Sequence, residues 1–386
     1  MFSQRLPPYA HTNALTHALE RVRASGAAIA DLTESNPTRA GIPYPDGILT
    51  PLADPRGLQY EPHPFGLSSA RAAVAADQRR RGADVDPAHV VLTASTSEAY
   101  SWLFKLLCNP GECVLVPRPS YPLFEHLTRL ECVRAEPYDL EYHGRWEIGI
   151  DGIRNAPADT KAIIVVSPNN PTGSYLSRRE MSEVSDICHE REWALVADEV
   201  FADYSLDETG ALTDLAATAD VLSFTLAGLS KTVGLPQVKL GWLIAGGPPA
   251  QRDAALAALE LIADSFLSVA TPVQVAAPDL LRAGAAARAS IQQRTRGNLT
   301  ALRAAAAGHP ACEVLRVEGG WSAVVRVPAT RGEERMVVEL LEQEHILVHP
   351  GYFFDFAREA YIVLSLLPLE DIFAAAVTRV LRAADC

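Results

Sequence analysis

Short, mostly β-branched apolar runs alternate with helix-length segments through the middle of this chain, and that alternation limits the fold more than any other feature. The runs at 90–92, 114–116, 163–166, 194–197 and 221–226 are each long enough for one buried strand and too short for a helix. Apolar runs of this kind suit a mostly parallel central sheet sandwiched by helices, because crossover helices cover both faces of such a sheet. The fold class is therefore α/β. The residues just after each run narrow the reading further. Small, polar or charged residues gather at 93–97, 117–122, 167–173, 198 and 228–236, the carboxyl ends of the expected strands. Open α/β sheets bind their ligands at that edge.

The flanking segments have a different texture. A helical stretch at 12–25 and an irregular arm rich in Pro, Gly and Thr at 29–47 come first, then a loop at 58–66 and a helix at 67–81. Beyond Gly247 alanine becomes frequent. Long helices are expected at 250–267 and 272–308, the second continuous from the sheet domain into a C-terminal one. Strands at 319–327 and 360–367 and helices at 336–345 and 370–384 then make a smaller α+β domain. The expected division is an N-terminal arm (1–47) packing with the small domain, a large domain (48–275) and a small domain (276–386).

Composition excludes several functions. Hydrophobic residues are 48% and charged residues 21%, a globular balance, and the formal net charge of -13 argues against nucleic-acid binding, which needs a basic surface. Residues 1–9 contain no apolar leader core and no run approaches the roughly 18 residues of a membrane span, so a soluble, cytoplasmic protein is expected. Cys108, Cys113, Cys132, Cys188, Cys312 and Cys386 are scattered without CxxC pairs. They read as free thiols, with no metal site.

The chemistry lies at the strand ends. Lys231, in LAGLSKTVGLP, is a lone lysine among Leu226, Ala227, Leu229, Val233 and Leu235. If buried there its pKa should fall, which suits a Schiff-base amine; taken alone it could equally be a surface lysine with a buried stem. Ser95, Thr96 and Ser97 precede an apolar helix and suit an anion at its N-terminus, or simply cap it. Tyr121 follows a proline-rich turn and can be a stacking plate or a core aromatic. Asn170, in SPNNPTG, is a turn residue whose amide can donate to a phenolate-like oxygen. Asp198 ends the run ALVA, and a carboxylate there needs a cation or several donors.

In this order the segments TASTSEAY, PRPSYP, SPNNPTG, ADEVFADY and LSKTVGLPQVKLGW resemble those of the fold-type I pyridoxal-phosphate enzymes, the aspartate aminotransferase superfamily. The resemblance runs from about residue 58 to 246, and HPGYFF is similar to the family's PG turn. It implies pyridoxal 5'-phosphate as cofactor, Lys231 as the Schiff-base lysine and proton shuttle, and Asp198 as partner of the ring nitrogen. It further implies Asn170 as donor to the ring oxygen, Tyr121 as the stacking ring, and Ser95, Thr96 and Ser97 as phosphate contacts. Tyr60, in YEPHPFG, is similar to a tyrosine that reaches the neighbouring subunit's phosphate, which implies a homodimer.

Four positions depart from the family pattern. Phe201 replaces a tyrosine, Gly228 replaces a phosphate-binding serine, and Lys239 replaces a phosphate-binding arginine, a point charge where a fork is usual. Val363, in YIVLSLL, stands where relatives carry the arginine that clamps the substrate carboxylate. Arg39 on the arm, and after it His349, are the expected replacements. The function expected is an aminotransferase acting on an amino acid or amino-acid-like metabolite with a 2-oxo acid. Elimination or decarboxylation on the same cofactor is the alternative within catalysis. A regulatory ligand-binding protein of this fold is the alternative outside it, and it would need a basic helix-turn-helix segment that this acidic chain lacks.

Overall fold

The computed structural model describes residues 2–6, 13–207 and 220–385. Its larger sheet has eight strands, in the spatial order Val90–Thr93, Gly241–Gly246, Ser223–Gly228, Ala194–Asp198, Thr160–Val166, Cys113–Arg118, Arg134–Tyr142 and Trp146–Ile148. The five strands from Ser223–Gly228 to Arg134–Tyr142 are parallel. Gly241–Gly246 runs against both of its neighbours, and Trp146–Ile148 closes the far edge antiparallel. Each of the five expected runs is one of these strands.

Three strands carry no such signature. Arg134–Tyr142 (RAEPYDLEY) is largely polar and half-exposed and contains Pro137; it lies second from the edge, where one face is open. Trp146–Ile148 is only three residues long. Gly241–Gly246 is bracketed by glycines that look like turn residues. Gly241 is required by a close approach, since a Cβ there would sit 2.9 Å from the carbonyl carbon of Ser95.

Helices cover both faces. Thr96–Leu107 and Pro249–Asp264 enclose one apolar layer with Phe224, Leu226 and Val196 of the sheet. Ser68–Arg80 and Thr271–Ala283 enclose another with Trp242, Leu229 and Val233. The expected continuous helix at 272–308 is in fact two, Thr271–Ala283 and Ala285–Ala306, which meet at Gly284. The reason is steric: a Cβ at Gly284 would lie 2.3 Å from Val233 Cβ, so only glycine lets the helix junction approach the loop that carries Lys231.

The smaller sheet is antiparallel, in the order Glu313–Val314, Ser322–Arg326, Tyr361–Ser365 and His349–Pro350, backed by helices Glu333–Glu344 and Glu370–Asp385. The N-terminal helix Ala14–Ala24 is capped by the Asn13 side chain, while the expected start at Thr12 lies outside the described residues, as does Cys386. Ala18 and Val22, one turn apart, pack it on Leu341 and Leu347, and Ala30–Asp31 pairs in parallel with Ile346–Leu347. Downstream on the arm, Ala40 and Ile42 join Phe201, Tyr204, Trp321 and Leu367 in a separate apolar cluster. Among the described residues no helix is long and apolar enough to cross a membrane, and no cluster of metal-ligating side chains forms.

Candidate active site

Sheet register brings the sequence-predicted residues together. Thr93, Gly241 and Gly228 are neighbours across three strands, and one step along, Leu226, Asp198 and Val166 are neighbours across the next three. The segments leaving these ends carry Ser95–Ser97, Lys239, Lys231, Asp198 and Asn170. Seven of the candidates therefore share one edge of the larger sheet, the carboxyl end of its parallel strands.

Lys231 sits in the short helix Leu229–Thr232 that follows Gly228, and its carbonyl is held by the Tyr204 hydroxyl. Its Nζ lies 4.7 Å from the ring centre of Trp321 and 5.3 Å from that of Phe201. Burial among these groups drives the amine down to about 8, while the negative charge of Asp198 partly opposes the shift. No carboxylate lies within ion-pair distance of it among the described residues. A lysine so placed gives up its proton far more readily than an ordinary one at 10.5.

Asp198 shows the opposite displacement. It is 8% exposed, and burial raises its carboxyl to about 6. Two donors work against that rise: Val200 N–H to Oδ1 at 3.1 Å and the Tyr100 hydroxyl to Oδ2 at 2.8 Å. Tyr100 was not singled out from sequence. Its signal was there, because a tyrosine on the apolar face of a buried helix needs an acceptor for its hydroxyl. Glu199, next in the chain, is turned away into a buried ion pair with Arg81.

The helix Thr96–Leu107 points its N-terminus at the same edge. Ser95 is its cap: its Oγ accepts from Glu98 N–H at 3.2 Å, which leaves its own hydroxyl proton able to donate. Glu98 is turned back onto Ala94 N–H and Ser268 Oγ, each at 2.6 Å. The amides and hydroxyls of Thr96 and Ser97 remain for an anion, since the first turn of a helix has no internal acceptors for its N–H groups. Lys239, exposed and in the left-handed region at φ 60°, stands two residues before the Gly241 contact with Ser95. At Gly228 a serine side chain would crowd the Leu240 carbonyl oxygen, 3.0 Å from a Cβ built there.

Asn170 and Asn169 divide their roles. Asn169 is buried and braces its own loop through Pro119 O and Thr172 Oγ1. Asn170 is half-buried, accepts only from Ser322 Oγ at 3.4 Å and keeps its amide N–H groups free among the described residues. Tyr121 is exposed, with no aromatic neighbour among the described residues. Tyr60 lies apart from the cluster on an open face, 70% exposed, beside Leu58 at 91%.

The carboxylate candidates sit differently. Val363 is 1% exposed and sealed among Trp146, Leu315, Val324 and Phe354. Arg39 is 74% exposed and bonds Glu34 through Nε at 3.1 Å. His349 stacks on Phe353 at 4.7 Å, and burial lowers it to about 4, so it is neutral at pH 7. Trp321, also missed from sequence, packs edge-on against Phe201 at 5.3 Å; its indole N–H is buried without an acceptor among the described residues.

Comparison with known proteins places the chain in a family and matches its fold. The chain is 28% identical over 381 residues to the glutamate-pyruvate aminotransferase AlaA of Haemophilus influenzae, covering 94% of this chain and 92% of that one. It is 26% identical over 396 residues to the alanine aminotransferase of Mycobacterium tuberculosis, covering 93% and 86%. The fold matches the crystal structure of an aminotransferase from Escherichia coli with a TM-score of 0.87 at 24% identity, over 99% of this chain and 97% of the other. The pattern that defines aminotransferase class I and II matches residues 49–369, and the chain belongs to that family.

Proposed function

We propose that this aminotransferase uses pyridoxal 5'-phosphate to move an amino group between an amino acid or amino-acid-like metabolite and a 2-oxo acid. The observation that carries the reading is the company of Lys231 and Asp198: an amine held near 8 and a buried carboxylate held near 6, on adjoining strand ends, with no ion pair to either among the described residues. The residues present fit the cofactor. A protonated ring nitrogen would give Asp198 the cation it lacks. The free amides and hydroxyls of Thr96 and Ser97, with Lys239, suit a phosphate dianion; Asn170 can donate to the ring oxygen, and the open face of Tyr121 can stack.

When bound, the cofactor supplies an electron sink for charge developing on the carbon that bears the amino group. Asp198 would pair with a protonated ring nitrogen and so keep that sink effective. Lys231 Nζ, neutral above its pKa, would be the base that takes a proton from that carbon and the acid that returns one. The rings of Phe201 and Trp321 flank Nζ. Phe201 has no hydroxyl for the ring oxygen, which leaves that contact to Asn170.

Arg39 is the charged residue we assign to the substrate carboxylate, exchanging Glu34 for it; His349, being neutral, can offer only a hydrogen bond. The exposure of Leu58 and Tyr60 supports a homodimer in which Tyr60 reaches the partner's phosphate site. The arm (1–47), large domain (48–275) and small domain (276–386) remain our division of the chain. The five free cysteines of the described residues support a cytoplasmic enzyme. Purified protein mixed with pyridoxal phosphate and a panel of amino acids, amines and 2-oxo acids tests the reading. Amino transfer should yield an aminated acceptor for each donor consumed. Loss of donor with no aminated product would assign elimination or decarboxylation instead.

A further inference from the structure

Helix Thr96–Leu107 serves the site twice. Its first turn offers amides to an anion, and one turn further on, on the buried face, it carries Tyr100, whose hydroxyl donates to Asp198 Oδ2 at 2.8 Å. The ring of Tyr100 is 2% exposed, stacked on Phe104 at 6.0 Å and edge-on to Phe124 at 5.4 Å. A phenylalanine would fill that layer equally well, and burying a phenol costs free energy unless the hydroxyl has a partner. Its partner among the described residues is Asp198. The arrangement therefore does something for the carboxylate that packing alone does not require.

We propose that Tyr100 is a positioning residue: by holding Oδ2 it fixes the Asp198 carboxylate, in its charged form, toward the ring nitrogen of the cofactor. This rests on the pyridoxal-phosphate reading above. The other groups that face Asp198 cannot do the same. Glu199 is committed to Arg81 and its charge disfavours a second carboxylate, Lys231 acts only through space, and Val200 N–H binds the other oxygen. Burial favours the neutral acid, and a neutral acid cannot pair with a protonated ring. The Tyr100 hydroxyl pulls the other way. One helix thereby sets both ends of the cofactor, its phosphate through the N-terminal amides and its ring nitrogen through the tyrosine.

The test uses Tyr100→Phe with two readouts. In cofactor-free protein, carboxyl-carbon NMR of Asp198 should show its midpoint raised by roughly one to two pH units, the worth of one hydrogen bond to a charged group. In the binding assay, Tyr100→Phe should weaken pyridoxal phosphate about tenfold while leaving the affinity for its analogue with carbon in place of the ring nitrogen unchanged. An unmoved Asp198 midpoint, or equal weakening for both ligands, would overturn the proposal and make Tyr100 a packing residue. If Tyr100→Phe fails to fold, a fluorinated tyrosine at position 100, a stronger donor, must lower the Asp198 midpoint, and an unchanged midpoint refutes the idea. Wild-type protein that binds no pyridoxal phosphate would sink the cofactor reading instead, and the NMR titration separates the two failures.

Discussion

Putting an arginine at Val363, where the family resemblance led us to expect one, should fail to create a carboxylate clamp. The Val363 side chain shares a sealed apolar layer with Trp146, Leu315, Val324 and Phe354, and its strand is paired on both sides, with Val324 and with His349. An arginine there must both overpack this layer, at about 1–3 kcal/mol, and bury an unpaired guanidinium, at about 3–5 kcal/mol. The sum is roughly 4 kcal/mol or more, against a total stability on the order of 5–15 kcal/mol. Val363→Arg should therefore melt well below the wild type and show no gain in kcat/KM for alanine, glutamate or aspartate. Val363→Ala is the control. It should lose only about 1–3 kcal/mol by leaving a small cavity and keep its substrate range. Thermal denaturation followed by circular dichroism, with steady-state kinetics on the three amino acids, reads both quantities. A Val363→Arg protein with wild-type melting and tenfold better use of any of them would refute the reasoning, because it would show that position 363 opens onto the substrate.

The site also sets the outcome of three other perturbations. Asp198→Asn should retain cofactor through the phosphate contacts but lower the amino-transfer rate by at least about a hundredfold, since an unprotonated ring is a poor electron sink; near-normal turnover would make the acid structural. Arg39→Ala should raise KM at least about tenfold for carboxylate-bearing donors, the loss of a charge-assisted contact, and leave amines without a carboxylate unaffected. Equal effects on both classes would remove Arg39 from the substrate. In cofactor-free protein the labelling of Lys231 by an amine reagent should rise with pH through a midpoint of about 8, because the neutral amine is the reactive form and burial lowers its pKa. A midpoint near the ordinary 10.5 would show the amine to be solvated. The same shift makes the unfolded chain bind more protons than the native one between about 8 and 10.5, so Lys231 adds to stability as pH rises through that window.

Much of this was legible in the sequence, for a physical reason. Strands buried on both faces must be written as uninterrupted apolar runs, and the polar residues that succeed them must lie at one edge, so Lys231, Asp198 and Asn170 could be placed beside one another from their order in the chain. The strand Arg134–Tyr142 was invisible because it keeps one face open and carries a proline. Gly284 and Gly241 read as ordinary small residues, although each marks a close backbone approach that only the folded chain reveals. Tyr100 signalled only that its hydroxyl needs an acceptor; which acceptor was hidden, because Asp198 is 98 residues away in sequence. Ser95 could be read as cap or phosphate ligand, and the two are compatible: its Oγ accepts from Glu98 N–H while its hydroxyl proton can still donate. Position 363 could be read as a missing arginine, but not as a sealed one.

The central claim is that Lys231 is the cofactor's covalent anchor. The most direct measurement is to incubate the protein with pyridoxal 5'-phosphate, reduce with borohydride, digest, and locate the pyridoxyl group by peptide mass. The account predicts stoichiometric labelling of Lys231 and none in a Lys231→Ala protein that still folds. Label on another lysine, or wild-type labelling and turnover in Lys231→Ala, would contradict it.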